Sequence, residues 1–479
     1  MTSVLAILVP WLVLAGGLLG LATVLGLSTI TSPILGLALI LGLGYVALTC
    51  RYPALGMRAA LFVVPFERLT SLFPPAVHGS FSPLSFITLP KLMLLAVTAS
   101  WLGRALLTRD DTPVRTFFDG WAPRLVALFA LTTVLSMPMA RGLGGFIAYE
   151  VRLVSGMIFF FLVLNLTETR EDLASTVRVI AASYFFVGLV GVFEAITRQH
   201  LLTVLGFPMP ELPYTMTSER FRIAGPSGDP DFFAISIILG LIATLGAWRL
   251  ARSRPARLLY LLMLVVFIFD IFATGSRGAA LCLGLAMGFF WLGLEMRHKW
   301  LVAVLILAAL GLGFGAYTLF FSDLTVSRYL GESGQKSLFY RWGWAKMCWE
   351  IVKDSPVFGI GTSNFKEVYH IYADPLVARE AQVGQNTYAQ LAAENGLPCL
   401  AVYVAVYGRC GLAAWQARCR SRDRRFRHLA LSLAAIILAF AIFAATLYTV
   451  ASEINWMVFA LGVVAWRLAR DEEGAGGVA

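Results

Sequence analysis

The chain has 479 residues, 58% of them hydrophobic and only 14% charged, with a formal net charge of +10. Soluble domains carry charge on about a quarter of their residues, so a soluble enzyme, a disordered protein and a fibrous protein are all excluded. The apolar runs are continuous rather than alternating, which excludes a transmembrane barrel and leaves an all-α polytopic membrane protein.

A membrane-crossing helix needs about 20 apolar residues. In chain order the sequence predicts about fourteen spans, at 4–27, 34–50, 54–66, 84–107, 123–139, 146–166, 174–197, 231–250, 258–275, 278–296, 300–321, 388–415, 429–449 and 453–468. The first lacks the basic flank and small-residue cleavage site of a signal peptide. The third is short and ends at Pro65; it is either re-entrant or continues to about Phe73. The predicted organisation is eleven spans over 1–321 with an outer loop at 198–230, a large outer loop at 322–387, three spans over 388–470, and a tail at 471–479.

Basic residues orient such a bundle, because loops rich in Arg and Lys stay in the cytoplasm. Loop 416–427 holds Arg418, Arg420, Arg422, Arg424, Arg425 and Arg427 against Asp423 alone, and loop 251–257 holds Arg252, Arg254 and Arg257 with no acid. Arg297 and Lys299 mark a third loop on the same side. Loops 28–33 and 450–453, on the alternate side, carry no basic residue. Both termini are therefore expected in the cytoplasm. The net positive charge reflects this topology, and no nucleic-acid partner is expected. The six Cys form no CxxC pair, so neither a disulfide frame nor a metal site is predicted. No cofactor is expected.

Four stretches depart from plain membrane composition, all at the predicted outer face. The first runs from Arg220 and Arg222 through Gly225 to PSGDPD at 226–231. Its Gly, Pro and Asp residues make a turn in which Asp229 or Asp231 caps the next helix. The second, TGSRGA at 274–279, places Arg277 between two apolar helices. An Arg there either snorkels to the headgroups or lines a hydrated cavity. The third, YRWGWAKMCWEIVKDSPVFGIGTSNF at 340–365, begins as a helix with Leu338, Trp342, Ala345 and Trp349 on one apolar face, and Arg341 is its polar exception. Its Trp residues belong either to an interfacial aromatic belt or to a sugar platform. The fourth runs from Gln385, Asn386 and Tyr388 to Glu394, an acid inside an apolar run. Such an acid is either functional or half of a structural ion pair.

Together the four stretches resemble the O-antigen ligase/O-antigen polymerase superfamily over about residues 215–400. The resemblance rests on R-x-x-G-x-x-x-D-P-D at 222–231, SRGA at 276–279, DSPVFGIGTSNF at 354–365, and NTY with ENGL at 386–397. It implies a bundle of about 12–14 spans of the GT-C type in the inner membrane. The implied donor is a glycan on undecaprenyl diphosphate, passed without a metal to a hydroxyl of a glycan, lipid or protein at the periplasmic face. In that reading Arg222 and Arg277 hold the diphosphate and stabilise charge as it leaves. Arg220, Arg341, Asn386, Tyr388 and Glu394 bind substrate. Ligases of this family usually carry a His directly before the Asn, where this chain has Gln385. An amide cannot serve as general base, which leaves His370, Glu380 or Glu394, or a reaction needing little base. Gln385 leans the reading towards a polymerase. The alternatives are a flippase, expected to show related halves and charges deep in several helices, and a non-catalytic member of a glycan-assembly complex.

Overall fold

The computed structural model describes residues 33–70, 88–108, 120–206, 221–295, 332–372 and 386–476, with isolated positions of one further helix at 300–311. Fourteen α-helices of eight residues or more organise these residues, with a four-residue helix at Leu201–Val204 and three 3-10 segments between them, and no strand occurs among them. They are α1 (Pro33–Arg51), α2 (Pro53–Val63), α3 (Leu89–Thr108), α4 (Trp121–Val134), α5 (Leu143–Leu166), α6 (Arg170–Thr197) and α7 (Pro230–Trp248). There follow α8 (Arg254–Ala273), α9 (Arg277–Gly293), α10 (Glu332–Asp354), α11 (Phe365–Tyr372), α12 (Thr387–Arg420), α13 (Arg424–Phe443) and α14 (Glu453–Gly476). Among the described residues seven helical segments are long and apolar enough to cross a membrane, and α9 is a shorter apolar helix. The fold is thus an all-α polytopic bundle. The expected first span lies outside the described residues, as does most of the expected span at 300–321. The third expected span is an eleven-residue helix running into a 3-10 segment that ends at Thr70.

Helix boundaries follow local chemistry. Asp229 caps α7: its Oδ1 accepts from the backbone N–H groups of Asp231 (2.8 Å) and Phe232 (3.0 Å). Asn386 caps α12 through the N–H groups of Tyr388 and Ala389. Ser253, Ser276 and Asp423 start α8, α9 and α13 in the same way. Each cap satisfies first-turn donors that have no partner within the helix.

The core is built on two buried helices. α14 packs against α5 and α12, and α7 packs against α6 and α13. Small residues bring the backbones together: Gly156 faces the Trp456 ring, Gly240 faces Tyr184, and Gly293 faces Leu431. Dispersion contact of this kind, rather than water exclusion, holds helices together in lipid.

The helices alternate in direction, so the bundle has two distinct ends. At one end Arg418 and Arg427 meet Glu295, and Arg467 donates to the carbonyls of Leu164 and Thr167. The other end gathers the starts of α5, α7, α9, α12 and α14 and the finishes of α6, α8 and α13. All four chemistry-bearing stretches of the sequence come to this second end.

The helix expected at the start of the third stretch forms as α10. The face carrying Trp342 and Trp349 points outward, 67% and 58% exposed. The packed face carries Trp344, Met347, Cys348, Ile351 and Val352 instead.

Candidate active site

Arg222 is the most enclosed cation of the site, 6% exposed. Its Nε donates to the Thr274 carbonyl at 2.6 Å and its Nη2 to Asp231 Oδ1 at 2.9 Å. Arg341 reaches the same carboxylate from α10, with Nη2 3.5 Å from Asp231 Oδ2, and its Nη1 donates to the Thr446 carbonyl at 3.1 Å. Arg277, in the first turn of α9, lies near enough to act on Arg341. Burial holds the Arg341 guanidinium below its ordinary value; Asp231 opposes this, and Arg277 and Arg222 add to it. Two of the sequence candidates, Arg222 and Arg341, therefore converge on Asp231 from separate segments, and Arg277 stands close enough to Arg341 to act on it. Burial and the neighbouring Asp231 push the Asp229 carboxyl up, against the two backbone N–H groups it caps and Arg222.

Arg222 is positioned by a residue the sequence reading did not single out. Glu194, wholly buried at the end of α6, accepts from the N–H groups of Ala224 (2.8 Å) and Gly225 (3.0 Å) through Oε2. Its Oε1 accepts from Leu201 N–H at 3.0 Å, and His200 Nδ1 lies 3.4 Å from Oε2. One carboxylate thus ties down both sides of the loop that carries Arg222. The available signal was an acid in the last turn of an apolar span. Asp270, one turn before Thr274, is also wholly buried, and Gly188 and Gly191 of α6 pack against its oxygens.

Glu394 is wholly buried. Its Oε1 accepts from Gln390 Nε2 (2.9 Å) and Phe365 N–H (3.2 Å). The Tyr448 hydroxyl lies 3.2 Å from Oε2 and 2.9 Å from the Tyr149 hydroxyl. With Tyr448 donating to the carboxylate, Tyr149 donates to Tyr448. The third and fourth stretches clasp one another here. Ile360 and Gly361 N–H donate to the carbonyls of Ala393 and Glu394, and Leu397 N–H donates to Pro356. Gly396 breaks the α12 helix at φ 84°, a left-handed conformation that glycine adopts without a side-chain clash. Asn364 Oδ1 accepts from Arg141 and Gly142 N–H, both at 2.9 Å, and Asn395 Nδ2 donates to Ser136 and Thr362. The stretch 354–365 is thereby stitched to α4, α5 and α12.

Asn386 acts as the α12 cap, and the Tyr388 hydroxyl donates to the Ala441 carbonyl at 2.6 Å. Thr387 Oγ1 donates to Leu447, while its N–H donates to Ala444. The 444–450 connection therefore touches the arginine group through Thr446 and Glu394 through Tyr448. His370 is exposed on α11, its ring beside Tyr369. Arg220, Gln385 and Glu380 lie outside the described residues.

The buried carboxylates Glu194, Asp270, Glu394 and Glu453 all sit within about two helical turns of this same end. Among the described residues the buried carboxylates are thus gathered at one end of the bundle rather than spread along it.

Residues 262–404 match the O-antigen ligase family. No curated protein matches the chain. The matched region includes Arg277, Arg341, the 354–365 clasp and Glu394, and it supports an O-antigen ligase/polymerase-type family for this chain.

Proposed function

We propose that the protein transfers a glycan from undecaprenyl diphosphate to an acceptor hydroxyl at the arginine-rich end of the bundle. That end faces the periplasm, and the membrane is the cytoplasmic (inner) one. The observation that carries this reading is the meeting of Arg222 and Arg341 on the carboxylate of Asp231, with Arg277 near Arg341. Guanidinium forks match phosphate oxygens in shape and charge, and their cost so close to lipid is offset when they grip an anion.

In the reaction the acceptor oxygen bonds to the anomeric carbon and gives up its proton to water or to the leaving diphosphate, the bond from that carbon to the diphosphate oxygen breaks, and undecaprenyl diphosphate leaves. The arginines stabilise the charge that collects on the leaving group, and fixed donors need no reorganisation to do so. Asp231 shares itself between two guanidiniums. Its 3.5 Å contact with Arg341 is looser than the 2.9 Å contact with Arg222, so a diphosphate competes for Arg341 first. Glu394 is enclosed by its own hydrogen bonds, which favours a positioning role for it over direct substrate contact. The clustering of buried acids at one end favours this reading over a flippase.

The test is glycan transfer by Arg277→Ala and Arg341→Ala variants, and full retained activity rejects the reading. A glycan gel from a deletion strain separates the two forms of the reaction. Single repeats left on the acceptor mark a lost polymerase, and long chains stranded on the carrier lipid mark a lost ligase. Gln385 leans the expectation towards the first.

A further inference from the structure

At the end of the bundle opposite Arg222, helices α7, α8, α9 and α13 enclose a cavity of about 890 Å³. We propose that it holds one anionic phospholipid drawn from the adjoining leaflet, with the headgroup phosphate on a rim of arginines and an acyl chain between the helices.

Three observations carry this. The inner walls are apolar, with Leu261, Leu264 and Ile268 on α8 facing Met287 and Phe290 on α9. The mouth is basic. Arg418 and Arg427 share Glu295 there, whereas the guanidiniums of Arg249, Arg257 and Arg425 have no carboxylate partner among the described residues and line the same cavity. Its depth also fits. From Arg257 to Ile268 the α8 wall rises roughly 16 Å at about 1.5 Å per residue, close to half the roughly 30 Å hydrocarbon thickness and so to one leaflet. Positive loops alone follow from topology. A cavity that continues from those loops into an apolar slot one leaflet deep does not. Basic pockets between membrane helices recognise anionic headgroups on this principle. The site is separate from the transfer reaction and stands whether or not the proposed function does.

The experiment uses the full chain purified in detergent, with native mass spectrometry and thermal unfolding as readouts. Phosphatidylglycerol is expected to remain bound at one molecule per chain and to raise the melting temperature. Phosphatidylcholine and excess inorganic phosphate are expected to do neither. The triple variant Arg249→Gln, Arg257→Gln, Arg425→Gln is expected to weaken phosphatidylglycerol binding by about tenfold or more, since each basic side chain near a headgroup adds appreciably to anionic-lipid affinity. Leu264→Trp, which fills the slot and leaves the rim intact, is expected to abolish retention of the lipid. Equal binding of phosphatidylcholine overturns the proposal. So does stabilisation by inorganic phosphate alone, or full retention of phosphatidylglycerol by either folded variant.

Discussion

Replacing Glu194 with Ala removes the acceptor for three backbone N–H groups without touching any arginine. Ala224 and Gly225 are buried, and their N–H groups at 2.8 and 3.0 Å have Glu194 Oε2 as their partner. Orphaning a buried donor costs about 1–3 kcal/mol. The Leu201 N–H, at the half-buried end of the helix, regains a water partner. Two orphaned donors, less the desolvation relieved by removing the carboxylate, give a loss on the order of 3 kcal/mol. Because the loop they hold carries Arg222 nine residues before Asp231, the variant is expected to lose transfer activity as well, by about tenfold or more if Arg222 shifts by as little as about 1 Å. Glu194→Gln keeps one oxygen acceptor but turns an NH₂ towards the same donors, so it falls between wild type and Ala. The assay is thermal unfolding of the purified protein alongside glycan transfer in reconstituted vesicles. A Glu194→Ala variant with unchanged melting temperature and unchanged transfer refutes the claim that this residue positions the arginine loop.

Other expectations follow from the clasp and the cysteines. Gly396→Ala combines a left-handed backbone with a methyl group driven into the Val357 carbonyl; a loss of about 2–4 kcal/mol is expected, whereas Gly408→Ala on the same helix, with open space around it, is neutral or slightly stabilising, and unfolding in detergent compares the two. Asn364→Ala leaves two N–H groups without their acceptor and is expected to cost about 2 kcal/mol, with faster proteolysis at 354–372 as a second readout. Cys419 is exposed beside the basic loop, while Cys348 is buried and its thiol is pushed up to about 12. A membrane-impermeant maleimide should therefore label Cys419 from the cytoplasmic side of the membrane and leave Cys348 unlabelled until unfolding; labelling of Cys419 from the periplasm would reverse the proposed orientation.

The all-α polytopic class was legible because a bilayer imposes length and hydropathy on every helix that crosses it. A helix start at PSGDPD was legible from its Gly, Pro and Asp residues, but the choice between Asp229 and Asp231 as the cap was not; Asp229 takes it and Asp231 meets arginine. Long-range pairing was not legible. Nothing local in DSPVFGIGTSNF announces that its backbone hydrogen-bonds to residues 393–397, so Glu394 and Asn364 read as substrate groups or loop residues when their contacts bind the clasp together. Glu194 and Asp270 were hidden for a related reason. A single acid in an apolar run gains meaning only when its partners, drawn from the loop at 224–225 or from facing glycines, are known. On α10 the pattern identified a helix with Trp342 and Trp349 on one face and left open which face packs, because tryptophans count as apolar wherever they point.

The central claim is that Arg222, Arg277 and Arg341 form one diphosphate grip. The most direct measurement is the rate of transfer from a synthetic undecaprenyl-diphosphate glycan to acceptor in vesicles holding purified wild-type, Arg277→Ala or Arg341→Ala protein. The account predicts a fall of about 100-fold or more for each folded variant, the size expected when a fixed donor to a developing charge is lost. Transfer at the wild-type rate by either variant would contradict it.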